Sequence, residues 1–205
     1  MAVETKLAGL QLPPPSVVEK LGAIQVQELD GGWVELGSLW TERPVAIVWL
    51  RHYGCLFCRE QAAQLRKVAA EAEQLGNLAI VSTGSLEQGR GFDKTHGKGL
   101  RSLVDTEKKT YKTLSFRRGG RSTYDPRTYI RAVQAAAHGF IQGRTQGDAF
   151  QQGGVVVLAE GGEPVFFQRS EFAGDHARLE EILTALRLAA EMRAPSVPAR
   201  AGVRG

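Results

Sequence analysis

The chain has 205 residues and a formal charge of +4, and 42% of its residues are hydrophobic against 23% charged. This length and composition favour one globular domain with a sizeable core. The longest apolar run spans residues 44–50, far short of the ~20 residues that a membrane helix needs. No secretory signal follows Met1, and two cysteines exclude a disulfide-stapled scaffold. We therefore expect a cytoplasmic protein in a reducing compartment, with no membrane partner.

The positive charge is concentrated in two segments. Residues 117–148 hold six Arg against two Asp, and residues 191–205 hold three Arg against one Glu. A nucleic-acid-binding protein usually shows a basic stripe along its recognition element, often with interleaved aromatic residues, so we expect no nucleic-acid partner. The arginine-rich segment 117–148 is then either a solvated surface or a rim that attracts an anionic substrate or an acidic partner protein.

Alternating and continuous apolar runs predict the elements of the first half of the chain. Residues 1–22 are expected to form a lead-in with a stiff proline spacer. Two alternating runs around Asp30-Gly31-Gly32 predict a β-hairpin, and the run at 44–50 predicts a central strand buried on both faces. The other predicted elements are a helical turn at 38–40, a helix at 59–75 ended by Gly76, a strand at 78–81, a helix from Ser85 to about Lys94, a strand at 103–104, and a helix at 106–114 that begins near Glu107.

In the second half, the arginine-rich segment interrupts the pattern as an insertion. Within it, residues 126–138 predict an amphipathic helix with Ile130, Val133 and Ala137 on one face. The remaining predictions are a second hairpin with strands at 155–158 and 165–167, a last helix capped by Asp175, and a disordered tail at 191–205.

The order of these elements predicts one α/β domain over residues 23–190. Strands that alternate with helices imply parallel crossovers, and the two hairpins add antiparallel strands. We therefore expect a mixed sheet flanked by helices on both faces, with an N-terminal β-hairpin and an insertion at about 117–148 before the last hairpin.

The two cysteines form a C-x-x-C motif directly after the predicted central strand, where a helix begins. The unpaired N–H groups and the dipole of a helix start favour an anion at Cys55. Arg51 and Arg59 add positive charge, so we expect a thiol pKa below the usual ~8.5. Cys58 lies one turn further on the same face and can close a disulfide with Cys55. We assign Cys55 as the nucleophile, with the more exposed thiol, and Cys58 as the resolving thiol.

Other interpretations of this motif remain open at the level of sequence. His52, Cys55 and Cys58 have ligand-like spacing, but a structural zinc site needs four ligands and the other histidines are scattered, so we expect no metal. The cysteines can also be inert packing residues, or Cys58 can react first. His52 is either a residue that orients or protonates the attacked group, or a partly exposed loop histidine.

The segment Arg51-His52-Tyr53-Gly54-Cys55-Leu56-Phe57-Cys58-Arg59-Glu60 resembles the active-site segment of the peroxiredoxin-like 2 family, thioredoxin-fold and AhpC/TSA-like relatives of the peroxiredoxins. The resemblance covers about residues 23–188. It continues in the following motifs: 104–105, 111–114, 146–148, 152–154, 167–169 and 174–175.

This resemblance implies a thioredoxin-like fold and a thiol-dependent reductase. No bound cofactor is expected, and reduced thioredoxin or a similar dithiol is the implied electron donor. Gly153 and Gly154 fall where thioredoxins place a cis-proline, and we expect them to permit close approach of a substrate. True peroxiredoxins carry Thr or Ser three residues before the reactive cysteine and an Arg at the late strand; His52 and the glycine pair stand there instead.

Two functional hypotheses follow. In the first, Cys55 attacks the S–S or O–O bond of a protein disulfide, a hydroperoxide or an endoperoxide, Cys58 resolves the intermediate, and an external dithiol restores the pair. In the second, the protein is a non-catalytic, redox-responsive interaction module whose disulfide state alters the 117–148 surface.

Overall fold

A seven-stranded mixed sheet forms the centre of the fold in a computed structural model that describes residues 11–192, except for the side chains of residues 121 and 122. The strand order is β2-β1-β5-β4-β3-β6-β7, with β3, β4 and β5 parallel and the other pairs antiparallel. The strands are β1 (Gln25–Glu28), β2 (Trp33–Glu35), β3 (Val45–Trp49), β4 (Asn77–Ser82), β5 (Arg101–Val104), β6 (Gly154–Leu158) and β7 (Pro164–Arg169).

Seven helices of the described residues cover this sheet. They are α1 (Pro15–Gly22), α2 (Leu56–Leu75), α3 (Leu86–Phe92), α4 (Lys109–Thr113), α5 (Gly120–Thr123), α6 (Pro126–Ala137) and α7 (Leu179–Glu191). Short helical turns occupy Leu36–Trp40, Asp93–Gly97 and Glu160–Gly162.

The central strand β3 separates two hydrophobic cores. Ala46 and Val48 belong to the core that contains α2 and α7, and the alternate residues Ile47 and Trp49 belong to the core that contains α1. All five residues of β3 are buried. This burial on both faces explains the continuous apolar run and confirms the prediction of helices on both sides of a mixed sheet.

Both predicted hairpins are confirmed, and so is the helical run through residue 75. In the first hairpin Val26 pairs with Val34 across the Asp30-Gly31-Gly32 turn, and in the second Val156 pairs with Phe167. Ser85 forms a capping box with Gln88 at the start of α3, which is the capping role expected for it.

Three predicted boundaries are wrong. Residues 15–22 form helix α1 with Leu21 fully buried, so they belong to the domain and not to a lead-in. Helix α4 begins at Lys109, because the Asp105 carboxylate accepts the Lys109 and Thr110 N–H groups at 3.0 and 2.8 Å and holds the preceding residues in a turn. Asp175 accepts the Glu171 N–H and does not cap α7, which begins at Leu179.

Helix α6 forms as predicted but packs through a different face. Ala135 is fully buried, whereas Ile130 and Val133 are 64% and 71% exposed. The Asp125 side chain caps the helix by accepting the Arg127 N–H. His138, just after the helix, pairs with Glu60 of α2 at 2.9 Å. Ala135 therefore faces the body of the protein, and Ile130 and Val133 face solvent.

The described residues contain no helix long and apolar enough to cross a bilayer. Within the same residues no three His, Cys, Asp or Glu side chains cluster as metal ligands would. The parts of the predicted lead-in and tail at residues 1–10 and 193–205 lie outside the described residues.

Candidate active site

Cys55 is the N-cap residue of α2, at the end of a short loop that leaves β3, with an extended backbone (φ −72°, ψ 127°). Cys58 follows in the first turn of the helix. The two cysteines approach to 3.5 Å and both are free thiols. This is the arrangement expected from the C-x-x-C spacing, and it lets one thiol attack a group attached to the other.

The electrostatics divide the two thiols into unlike partners. The pKa of Cys55 is lowered to about 6, first by the hydrogen bond from the Cys58 side chain and then, against the effect of burial, by the Arg51 charge and the Cys58 and Phe57 N–H groups. Burial raises the pKa of Cys58 well above its usual value, and its position beside Cys55 raises it further. These shifts favour the thiolate at Cys55 and the protonated thiol at Cys58 near pH 7.

Arg51 lies buried between the thiol and two backbone carbonyl groups. Its Nη1 lies 3.5 Å from Sγ of Cys55, while its Nε donates to the Gln151 carbonyl oxygen at 3.2 Å and its Nη2 to that of Ala149 at 2.6 Å. A second Nη2 contact reaches Oγ1 of Thr123 at 3.4 Å. The guanidinium thus places a positive charge beside the Cys55 sulfur, and none of these four partners is a carboxylate.

Arg59 is placed differently from Arg51. Its Nη1 donates to the Ile141 carbonyl oxygen at 3.0 Å. The charge that contacts the Cys55 thiol is that of Arg51, whereas the guanidinium of Arg59 lies against a later segment of the chain.

His52 is buried, with 3% of its surface exposed. Burial, and next the Arg51 charge, lower the pKa of His52 to about 4 despite the opposing charge of Asp148. The imidazole is therefore neutral near pH 7. The alternative of a partly exposed loop histidine is wrong.

A segment that follows α6, residues 141–151, crosses over the cysteine loop; we call it the strap. The Gly143 N–H donates to the Gly54 carbonyl oxygen at 2.9 Å, and the Tyr53 N–H donates to that of Gln146 at 3.1 Å. A Cβ on Gly54 would lie 1.8 Å from the Arg144 carbonyl oxygen. Only glycine at position 54 leaves room for the strap.

Asp148 fastens the far end of the strap. Its carboxylate lies 2.7 Å from Lys108 Nζ and 2.7 Å from Arg118 Nε, and its N–H donates to Thr83 Oγ1 at 3.0 Å. These contacts outweigh the desolvation of the carboxylate, and they lower the pKa of Asp148 to about 2. The strap is therefore held by charge as well as by backbone hydrogen bonds.

Both thiols are fully buried, at 0% exposure each. The expectation that Cys55 is the more exposed of the pair is wrong. That expectation considered only the position of each cysteine in the helix, whereas a segment about 90 residues further along the chain crosses the loop before the helix.

The glycine pair at the start of β6 allows close approach of the chain's own backbone. A Cβ on Gly153 would lie 1.9 Å from the Trp49 carbonyl oxygen, and one on Gly154 would lie 2.4 Å from that of Gln168. The close approach expected at these glycines is real, but neighbouring strands make it, not a substrate. No cis peptide bond is found among the described residues.

Sequence reasoning missed the groups that complete the site. Thr123 comes from the insertion and brings a hydroxyl group to Arg51, and Gln142 accepts the Leu56 N–H through its Oε1 at 3.3 Å. An arginine thus lies beside Cys55, and the Thr123 hydroxyl lies beside that arginine. The backbone carbonyl groups of Ala149 and Gln151 cannot be recognised from side-chain types. The arginine-rich composition of the insertion was the one sequence feature that pointed to this part of the chain.

Comparisons with known proteins agree with this fold. The family model described as AhpC/TSA antioxidant enzyme matches residues 64–171. Prostamide/prostaglandin F synthase of Danio rerio is 37% identical over 188 residues, covering 87% of this chain and 92% of that protein. A chloroplastic thioredoxin-like protein AAED1 of Arabidopsis thaliana is 27% identical over 179 residues, covering 82% of this chain and 71% of that protein.

Among solved structures, the bacterioferritin comigratory protein of Xanthomonas campestris superposes with a TM-score of 0.62 at 12% identity, covering 89% of this chain and 98% of that one. At that identity the likeness concerns the fold, which is the thioredoxin fold of the peroxiredoxins. The sequence matches carry the assignment further, and they favour the enzyme over the non-catalytic interaction module. The chain belongs to the AhpC/TSA family and is a peroxiredoxin-like, thioredoxin-fold oxidoreductase.

Proposed function

We propose that the protein is a dithiol peroxide reductase in which Cys55 attacks and Cys58 resolves. The observation that carries this proposal is the pairing of unlike thiols: Cys58 donates a hydrogen bond to Cys55, whose pKa is lowered to about 6. At that pKa roughly nine-tenths of Cys55 is thiolate at pH 7. A protonated neighbour 3.5 Å away is then ready to close the disulfide.

The reaction balances with the groups at the site. The Cys55 thiolate attacks one oxygen of a hydroperoxide ROOH, the O–O bond breaks, and the alkoxide leaves as the alcohol after taking a proton, which gives a sulfenic acid. Cys58 attacks that sulfur, a disulfide forms and water leaves. With an endoperoxide the first attack leaves one oxygen on sulfur, and the attack by Cys58 releases it, so the product is a diol.

Arg51 and Thr123 are suited to the oxygen atoms of this substrate. The Arg51 guanidinium stabilises the Cys55 thiolate before attack and the departing alkoxide afterwards. The Thr123 hydroxyl, 3.4 Å from Nη2 of Arg51, offers a second polar group on the same side. The name of the Danio rerio relative favours an acceptor of the prostaglandin class; a protein disulfide is the competing acceptor.

An external dithiol must return the disulfide to two thiols, with two electrons and two protons per cycle. We propose a thioredoxin-type donor, with no bound cofactor and no metal, and hence a reducing compartment such as the cytoplasm. Since both thiols are covered, acceptor and donor each require the strap to move away from Gly54.

The test combines mass and turnover. Intact mass after thiol alkylation, in glutathione buffers of graded potential, should show both thiols lost together, and Cys55→Ser should abolish this step. A midpoint near ~−270 mV fits a reductase and one near ~−120 mV an oxidant. With thioredoxin, its reductase and cumene hydroperoxide, turnover should lie in the usual ~1–1000 per second. Full labelling at every potential, or turnover below ~0.01 per second with peroxides and disulfides alike, would refute the proposal.

A further inference from the structure

A cavity of about 420 Å³ lies beside the loop that carries the two cysteines. This volume is within the range of small-molecule sites. Tyr53 and Arg59, on either side of Cys55 in the sequence, line it together with the strap residue Gln146. The strap that covers the thiols therefore also forms part of the wall of this cavity. We call it the Arg59 cavity.

One N–H group of the Arg59 guanidinium has no hydrogen-bond acceptor among the described residues. Its Nη1 is bonded to the Ile141 carbonyl oxygen, but its buried Nε finds no hydrogen-bond partner among the described residues. The adjacent carboxylate, Glu60, pairs with His138 at 2.9 Å instead. A charged donor without an acceptor is costly when buried, so a ligand oxygen in the cavity would stabilise the guanidinium once the side chain turns to meet it.

His96 provides a second polar group on the cavity wall. Its Nδ1 lies 2.6 Å from Oγ1 of Thr95, and this hydroxyl lies 3.2 Å from the carbonyl oxygens of Gly91 and Phe92, to which it can donate. Nδ1 then carries the proton, and Nε2 is the unprotonated ring nitrogen. An anion bound between His96 and Arg59 would favour protonation of the ring and let Nε2 donate to it.

The rest of the lining combines aromatic rings with polar side chains, among them Ser85, Gln88 and Thr95. The rings of Tyr53 and Phe92 pack at 5.0 Å between centroids, and the His96 ring stacks on Phe92 at 5.4 Å. Glu87 also lines the cavity and opposes anions. The lining holds one guanidinium and one carboxylate, which suits a singly charged carboxylate better than a phosphate.

We propose that the Arg59 cavity binds the carboxylate end of an organic peroxide acceptor, with Arg59 and His96 holding its oxygens. The acceptor's identity as a peroxide rests on the proposed function; the carboxylate site does not. Arg59 is then a specificity residue for acidic acceptors. The acceptor's reacting bond reaches Cys55 when the strap moves.

The first experiment is a binding titration with octanoate and, separately, octan-1-ol, followed by the imidazole resonances of His96 in the reduced protein. Octanoate should shift them saturably and the alcohol should bind at least tenfold more weakly. Arg59→Gln should weaken octanoate binding about tenfold. Lys67→Gln, which removes one positive charge from the exposed side of the same helix, is the matched control. Glu87→Gln should instead tighten binding. Equal affinity for acid and alcohol, or the same loss in both lysine and arginine variants, would overturn the carboxylate site.

The second experiment compares linoleic acid hydroperoxide with its methyl ester as acceptors. The ratio of kcat/KM for the acid to that for the ester should fall about tenfold in Arg59→Gln relative to Lys67→Gln. An unchanged ratio alongside intact octanoate binding would overturn the assignment of the cavity to the acceptor. Failure of both acceptors in the wild-type protein would refute the peroxide reductase, while the octanoate titration would still decide the site.

Discussion

Arg51 and Cys55 lie four residues apart in the sequence, and Nη1 of the arginine approaches Sγ of the cysteine to 3.5 Å. The same guanidinium donates to the carbonyl oxygens of Ala149 and Gln151 in the strap. One buried side chain therefore stabilises the thiolate and holds the cover over it. Loss of the thiolate charge on disulfide formation removes one of the groups that keep Arg51 in this position.

Replacement of Arg51 by Gln should raise the Cys55 pKa from about 6 by roughly one unit, since it removes the nearest positive charge. The pH dependence of iodoacetamide alkylation measures this as a shift of its midpoint, separately from any change in the maximal rate. Arg59→Gln should shift the midpoint less, because the Arg59 guanidinium donates its hydrogen bond to the Ile141 carbonyl oxygen and not to the thiol. A midpoint in Arg51→Gln identical to that of the wild type would show that Arg51 does not stabilise the Cys55 thiolate.

The hydrogen bond from Cys58 is the largest influence on Cys55, so the residue at position 58 should determine the thiol pKa. Cys58→Ser retains a hydroxyl donor and should keep the Cys55 midpoint near the wild-type value, whereas Cys58→Ala should raise it. Both variants should lose the intramolecular disulfide and multiple turnover. The same midpoint in the serine and alanine variants would show that Cys58 acts on Cys55 only as a resolving thiol.

The pairing of the two cysteines was predictable from sequence because its causes are local. A buried apolar run, a short loop and C-x-x-C at a helix start place the thiols together whatever the rest of the fold does. The same holds for the two hairpins, whose turn residues and alternating patterns lie within a dozen residues of one another.

The cover over the thiols was not predictable, because backbone groups form most of it. The carbonyl oxygens of Ala149 and Gln151 that hold Arg51 belong to residues with no distinguishing side-chain pattern. Periodicity also misled at α6: it located Ile130 and Val133 on one face but cannot say whether that face packs inward. Small residues on the opposite face, such as Ala135, allow the helix to approach α2 closely, and this decided the orientation.

His52 should make the protein less stable in acid. The unfolded state binds a proton at His52 below about pH 6.5, whereas the folded state does so only below about pH 4. Stability is therefore lost as the pH falls from 6.5 to 4, by ~3 kcal/mol from this residue. Urea unfolding at several pH values in this window measures the loss, and His52→Gln should reduce the slope. An equal slope in the variant would contradict a neutral, buried His52 in the folded state.

We expect the strap to control access to Cys55, and Gly54 offers the sharpest test of this. A Cβ at position 54 would meet the Arg144 carbonyl oxygen at 1.8 Å, so Gly54→Ala should displace the strap while leaving the charges around the thiol in place. Alkylation of Cys55 at saturating pH should become about tenfold faster, because the covered state is less favoured by ~1.4 kcal/mol.

Gly91→Ala is the matched control, since a Cβ there meets nothing within 4 Å and the residue lies inside helix α3. Gly91→Ala should leave the alkylation rate unchanged. It is compared with Gly54→Ala at temperatures equally far below the Tm of each variant. Comparison of the two variants also separates displacement of the strap from a general loosening of the fold, because only Gly54→Ala affects the strap. Equal rates in Gly54→Ala and the wild type would mean that Cys55 is reached by another route, and the strap would then have no part in admitting acceptor or donor.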